Sequence, residues 1–220
     1  MNKLFSALLF TPLLATSSWA DEYVQDFEKA ELGYPPDELM VIDGEFEVIE
    51  HEGGKVLKLP ADPIIECGLL FGKSSKNAMT VEAKAFAEKR GRRSFPRFGV
   101  GLHGISGYRV RVVPATKKLE LVHFEEVIHS ESFTWKSGEW CHLKIQLTNA
   151  SEKPKVEAWV WMAGADAKQP ETPTLTYEGE AGSSSQGKAS IWGTPYSGKD
   201  MLFDDLKVTW EAAKPKTAEE

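Results

Sequence analysis

Cysteine is scarce in this 220-residue chain: with two residues, Cys67 and Cys141, it can form at most one disulfide. In an oxidising compartment that bridge would close a long loop, worth about 4 kcal/mol of unfolded-state entropy. Two separate buried thiols are the other reading, and spacing alone decides between them no further. Histidine is also sparse, and none of the five falls in an H-E-x-x-H zinc arrangement. A G-x-S-x-G nucleophile turn is missing too. Apart from the apolar stretch at residues 4–15, which is too short to cross a bilayer, there is no long hydrophobic run. Basic residues are outnumbered, 26 against 33 acidic, giving a net charge of −7. Nucleic acid and anionic membrane surfaces are therefore poor partners. Leucine-rich helical periodicity and internal repeats are absent as well.

What is present begins with a leader. Lys3 precedes the apolar run, and Ser18-Trp19-Ala20 places small residues where a signal peptidase reads. The expectation is a signal peptide over residues 1–20, cleaved after Ala20, and a secreted or periplasmic protein. Losing Lys3 leaves 25 basic against 33 acidic residues, a mature net charge of −8. Residues 211–220, rich in Lys, Ala, Glu and Pro, read as a disordered tail. The interval 21–210 is long enough for one domain with a substantial core.

That interval reads as strands. In residues 77–88, Met79, Val81, Ala83, Ala85 and Ala87 alternate with Thr80, Glu82, Lys84 and Glu88, and only Phe86 breaks the period of two. Cys141, Leu143, Ile145 and Leu147 repeat the pattern, as do Val156, Ala158, Val160 and Met162. Glu52-Gly53-Gly54 reads as a hairpin turn, and a second hairpin joins residues 98–103 to 107–113. The stretch GKASIWGTPYSGKDMLFDDLKVTW, residues 187–210, supplies two closing strands, the last expected to pair back near the first. About a dozen short strands with regular turn signals and no convincing helix predict an all-β, two-sheet antiparallel jelly-roll β-sandwich.

Four constellations carry chemistry. Trp159 and Trp161 share one face of a strand and offer flat indole platforms. With Arg109, Arg111 and His103 as fixed donors, they form the expected binding set for a polysaccharide or other glycan. The run Glu45 to Glu50 has the E-x-x-x-x-E spacing of a glycosidase strand, with Glu47 between, but lacks aromatic flanks. Lys89, Arg90, Arg92 and Arg93 form a basic loop suited to an acidic polymer or simply to water. Asp204 shares parity with Leu202, Leu206, Val208 and Trp210, so strict alternation turns it inward, where a carboxylate needs a bulge, N–H donors or a cation.

Three stretches taken together resemble the concanavalin A-like lectin/glucanase superfamily, of the laminin-G-like or 3-keto-disaccharide hydrolase-like kind. They are DFEKAELGYPPDELMVIDGEFEV, then RFGVGLHGISGYRVRV with WKSGEWCHLKIQL, then GKASIWG with LFDDLKV. The resemblance implies a jelly roll holding sugars on one face. It also implies a structural Ca²⁺ between first and last strands, with Glu28 or Asp26 and Asp204 or Asp205 as oxygen ligands. Where the hydrolase-like relatives carry an acid, this chain has Tyr108-Arg109-Val110-Arg111. A non-catalytic carbohydrate-binding module is thus the leading expectation. A glycoside hydrolase on the same face and a purely structural adhesion protein are the alternatives.

Overall fold

The computed structural model describes residues 20–62, 65–150, 152–164, 167–183 and 185–211. Residues 1–19 of the expected leader and 212–220 of the expected tail lie outside them. Among the described residues there is no helix, and fifteen strands form two antiparallel sheets.

The first sheet has eight strands. In order they are β13 (Leu175–Glu178), β12 (Lys155–Met162), β11 (Trp140–Thr148), β6 (Met79–Phe86), β15 (Met201–Glu211), β4 (Gly54–Leu59) and β3 (Glu47–His51). The eighth, β1 (Ala20–Gln25), pairs with the far half of β15, Ala20 opposite Glu211 and Gln25 opposite Leu206. The closing strand therefore does pair with the first. The second sheet runs β10 (Glu126–Ser132), β9 (Lys118–His123), β8 (Arg109–Val113), β7 (Arg97–Gly101), β14 (Gly187–Thr194), β5 (Cys67–Ser75) and β2 (Met40–Asp43).

Alternation decides what each strand buries. Val81, Ala83 and Ala85 of β6, Leu143 and Ile145 of β11, and Val156 and Ala158 of β12 face inward. They meet Val100, Val110, Leu119, Leu121 and Ile191 from the opposite sheet, all fully buried. Each such Val, Leu or Ile contributes about 1.5–3 kcal/mol of burial, and each Ala less. Cys67 and Cys141 sit in this interior on different sheets, each buried and each a free thiol. Burial pushes the Cys141 thiol well above its ordinary pKa.

The inward Asp204 of strict alternation is corrected by β15 itself. Met201 and Phe203 face the core opposite Leu59 and Leu57, and Leu206 and Val208 face it further on. The parity changes between them because the register slips between Asp204 and Lys207. Asp205 sits there at φ 49°, a left-handed conformation uncommon for a residue with a side chain. The bulge leaves Asp204 on the outer face, opposite Lys84.

Candidate functional site

The outer face of the eight-stranded sheet carries two cross-strand rows. Trp161 of β12 lies opposite His142 of β11, His142 opposite Lys84 of β6, and Lys84 opposite Asp204 of β15. Two residues along, Trp140 lies opposite Phe86, and Phe86 opposite Leu202. Phe86, the residue that broke the alternation of its strand, faces outward by ordinary pleating and meets Trp140 at a ring separation of 5.6 Å. His51, at the end of β3, packs 5.9 Å from Phe86 and 6.4 Å from Trp140. His142 stacks on Trp161 at 4.8 Å and 3° between planes.

These rings border two adjoining cavities. One, of about 210 Å³, is lined by Glu28, His51, Lys84, Trp140, His142 and Asp204. The other, of about 470 Å³, shares Lys84 and His142 and adds Trp161, Asp205 and Lys207.

Two carboxylates enter the smaller cavity from distant parts of the chain. Glu28 follows Phe27, which is fully buried and held at φ 58°. Glu28 Oε1 accepts a hydrogen bond from the Lys55 backbone N–H at 3.2 Å. A Cβ on Gly54 would stand only 2.7 Å from that oxygen, so glycine leaves the room Glu28 occupies. Asp204 precedes the strained Asp205, whose N–H donates to Asp204 Oδ1 at 2.7 Å. Both acids thus abut backbone in a sparsely populated conformation, and such strain concentrates at functional sites.

The electrostatics follow from partial burial. Loss of water pushes the Asp204 pKa up to about 6, and the charges of Asp205 and Glu28 add to it. The Asp205 N–H and Lys84 oppose that rise without cancelling it. Lys84 is ion-paired with Asp205. His142 is held below its ordinary pKa by burial first and by Lys84 second, which favours the neutral imidazole. The site therefore presents flat rings, a neutral imidazole, a lysine ammonium, the partly buried Asp204 carboxyl and the exposed Glu28 carboxyl. That combination suits a ligand with apolar faces and hydroxyl rims.

The expected binding set is divided. Trp159 and Trp161 do share the outer face of the eight-stranded sheet, but Trp159 is only 8% exposed, with the Lys144 ammonium 5.7 Å from its ring. Arg109 and Arg111 point outward from the other sheet, on the opposite side of the molecule. Arg109 lies over Trp192 at 4.4 Å and is paired with Glu66 at 3.0 Å and Glu125 at 3.4 Å; Arg111 is held by Glu120 at 2.8 Å. Both guanidinium groups are ion-paired within the fold, and the one donor of Arg109 left over, Nε, is buried. His103 is buried in the β7–β8 loop, its Nε2 2.9 Å from the Asn77 carbonyl oxygen. Of the five, Trp161 alone borders either cavity, lining the larger one. Missed altogether were Trp140, His142, His51 and Lys84; the interrupted pattern at Phe86 was the available signal.

The calcium set is reached in part. Glu28 and Asp204 meet in one cavity, but Asp205 is turned to Lys84, whose ammonium supplies the compensating charge. Among the described residues no group of three or more His, Cys, Asp or Glu is arranged to hold a metal ion. These residues do not fit a Ca²⁺ site, which takes six to eight oxygens. The acidic run Glu45 to Glu50 ends in β3, the outermost strand, where Glu47 pairs with Lys58.

No protein-family profile matches the sequence, and no curated protein matches it either. Among solved structures the molecule is similar to winged bean acidic lectin complexed with methyl-α-D-galactose. The TM-score is 0.58 at 9% identity, covering 89% of this chain and all of that one. It is also similar to lectin II from Ulex europaeus, TM-score 0.53 at 12% identity, over 86% of this chain and 97% of that one. The carbohydrate recognition domain of Emp46p in its potassium-bound form gives 0.51 at 13% identity, over 80% and 90%. The architecture is the concanavalin A-like jelly roll. At these identities the likeness speaks for the fold, and function rests on the site.

Proposed function

We propose that the protein is an exported, non-catalytic module that binds carbohydrate on the outer face of its eight-stranded sheet. One observation carries this reading: two aromatic clusters, Trp140–Phe86–His51 and Trp161–His142, flank Asp204, Glu28 and Lys84 along adjoining cavities. Indole and imidazole planes take the C–H faces of a pyranose, while carboxylates and the ammonium meet its hydroxyls. The lectin likeness of the fold supports the ligand class, and the leader-like opening supports export.

The test is a glycan array on the mature chain, followed by calorimetry with the best glycan and with Trp161→Ala. The expected result is binding to a defined class that weakens about tenfold or more in the variant, the loss of about 1.4 kcal/mol or more. Undiminished binding by Trp161→Ala removes the site from this face. Absence of any glycan ligand leaves a structural or adhesion role instead.

Hydrolysis is the second reading, favoured by Asp204, held near pKa 6 beside Glu28 in one cavity. A carboxyl of that pKa suits a general acid, with a second carboxylate as its partner. Product release from the bound glycan, abolished in both Asp204→Asn and Glu28→Gln, would put this reading first.

A further inference from the structure

The chain has six arginines. Arg109 and Arg111 are paired with acids, as described above. The other four, Arg90, Arg92, Arg93 and Arg97, have no ion-pair partner among the described residues, and neither has Lys89. In a chain of net charge −7, five uncompensated cations within nine residues are a local reversal of sign.

The structure fixes these cations in place. The Arg90 N–H donates to the Ser94 carbonyl oxygen at 2.9 Å, closing the loop between β6 and β7. Gly91, at φ 65°, makes that closure possible and leaves Arg92 and Arg93 exposed at the tip. The loop also meets the β14–β15 connection: Arg97 lies over the ring of Tyr196 at 5.2 Å, and a Cβ on Gly198 would be 3.5 Å from Arg90 Nη1. Tyr196 is 44% exposed; next to it the Ser197 hydroxyl is buried without a hydrogen-bond partner. The neighbouring acids are already committed. Glu88 pairs with Lys199 at 2.8 Å, Glu139 with Lys136 at 3.5 Å, and Asp200 accepts from the Ala61 N–H at 2.9 Å.

We propose that this end of the sandwich is a second binding surface, for a polyanionic glycan bearing sulfate or carboxylate groups. Guanidinium forks pair bidentately with both groups, and the exposed Tyr196 ring offers a stacking plane for the sugar between them. A single polymer chain can follow the loop without approaching the acidic remainder of the molecule. An anionic bilayer would bring that whole surface against a like-charged plane, and no large apolar side chain is exposed on the loop to enter it.

The experiment measures binding of the full mature chain to sulfated dextran, polygalacturonate, neutral dextran and phosphatidylglycerol vesicles at 50 and 300 mM NaCl. The expected pattern is binding to one or both polyanions, none to neutral dextran or vesicles, and about a tenfold or greater loss at the higher salt. Arg92→Gln/Arg93→Gln should lose about tenfold at unchanged Tm, while Arg92→Lys/Arg93→Lys, which keeps the charge but not the fork, should fall between that variant and wild type. Failure to bind either polyanion, unchanged binding by the glutamine variant, or equal binding to vesicles overturns the proposal. None of these outcomes bears on the Trp161 cavity, whose glycan is tested by a separate variant.

Discussion

Replacing Asp204 by Asn should stabilise the fold while weakening the site. The carboxyl moves from its ordinary value of 3.8 to about 6. Taken whole, that rise corresponds to about 3 kcal/mol of penalty on the charged form. Asp204 is only partly buried, and water screens part of this, so we discount it to about 1–1.5 kcal/mol. The sign follows from proton counting. Between pH 3.8 and about 6 the folded state holds a proton that the unfolded chain has lost. Wild-type stability therefore falls as pH rises through that window, and the full penalty applies above pH 7. Asparagine keeps the acceptor for the Asp205 N–H and carries no charge. The variant should match wild type near pH 4 and exceed its Tm by about 2–5 °C at pH 7.5. Parallel thermal melts at the two pH values check this, with glycan titration beside them. A Tm difference that is the same at both pH values, or a variant less stable at pH 7.5, refutes the electrostatic account of Asp204.

Two further predictions concern calcium and the thiols. Calcium at 5 mM against excess EDTA should move Tm by less than about 1 °C, because a site with a dissociation constant a hundredfold lower would add about 2.7 kcal/mol; a shift of several degrees would restore a metal site to this end of β15. A thiol reagent should find neither Cys67 nor Cys141 in the native protein and both after unfolding in guanidinium, since each is free and buried. Fewer than two thiols in denaturant would reveal a bridge.

The sandwich was legible because period-two patterning is local. Met79 to Ala87, Cys141 to Leu147 and Val156 to Met162 each declare a core face without reference to any other strand. The site was less legible because it depends on which strands become neighbours. Trp161 and Arg109 look equally available along the chain, yet they belong to different sheets and face opposite sides. Trp161, His142, Lys84 and Asp204 are up to 120 residues apart in sequence, and only the order β12-β11-β6-β15 sets them in one row. Spacing within a strand cannot express that.

Asp204 shows the other limit. Its parity with Leu206 and Val208 is real, but β15 changes face at Asp205, and no glycine marks the place. A non-glycine residue at positive φ is a local rule broken, and so is Phe27 beside Glu28. An aspartate carrying a raised pKa on an otherwise well-paired sheet is a third. Such departures cost stability, and three of the eight non-glycine residues at positive φ, Phe27, Glu52 and Asp205, lie in or directly beside the lining of one 210 Å³ cavity. The locations of Glu28 and Asp204 are therefore better explained by what they meet from solvent than by what they contribute to folding. A gain in stability from Asp204→Asn together with a loss of glycan affinity would be the direct sign of that trade-off.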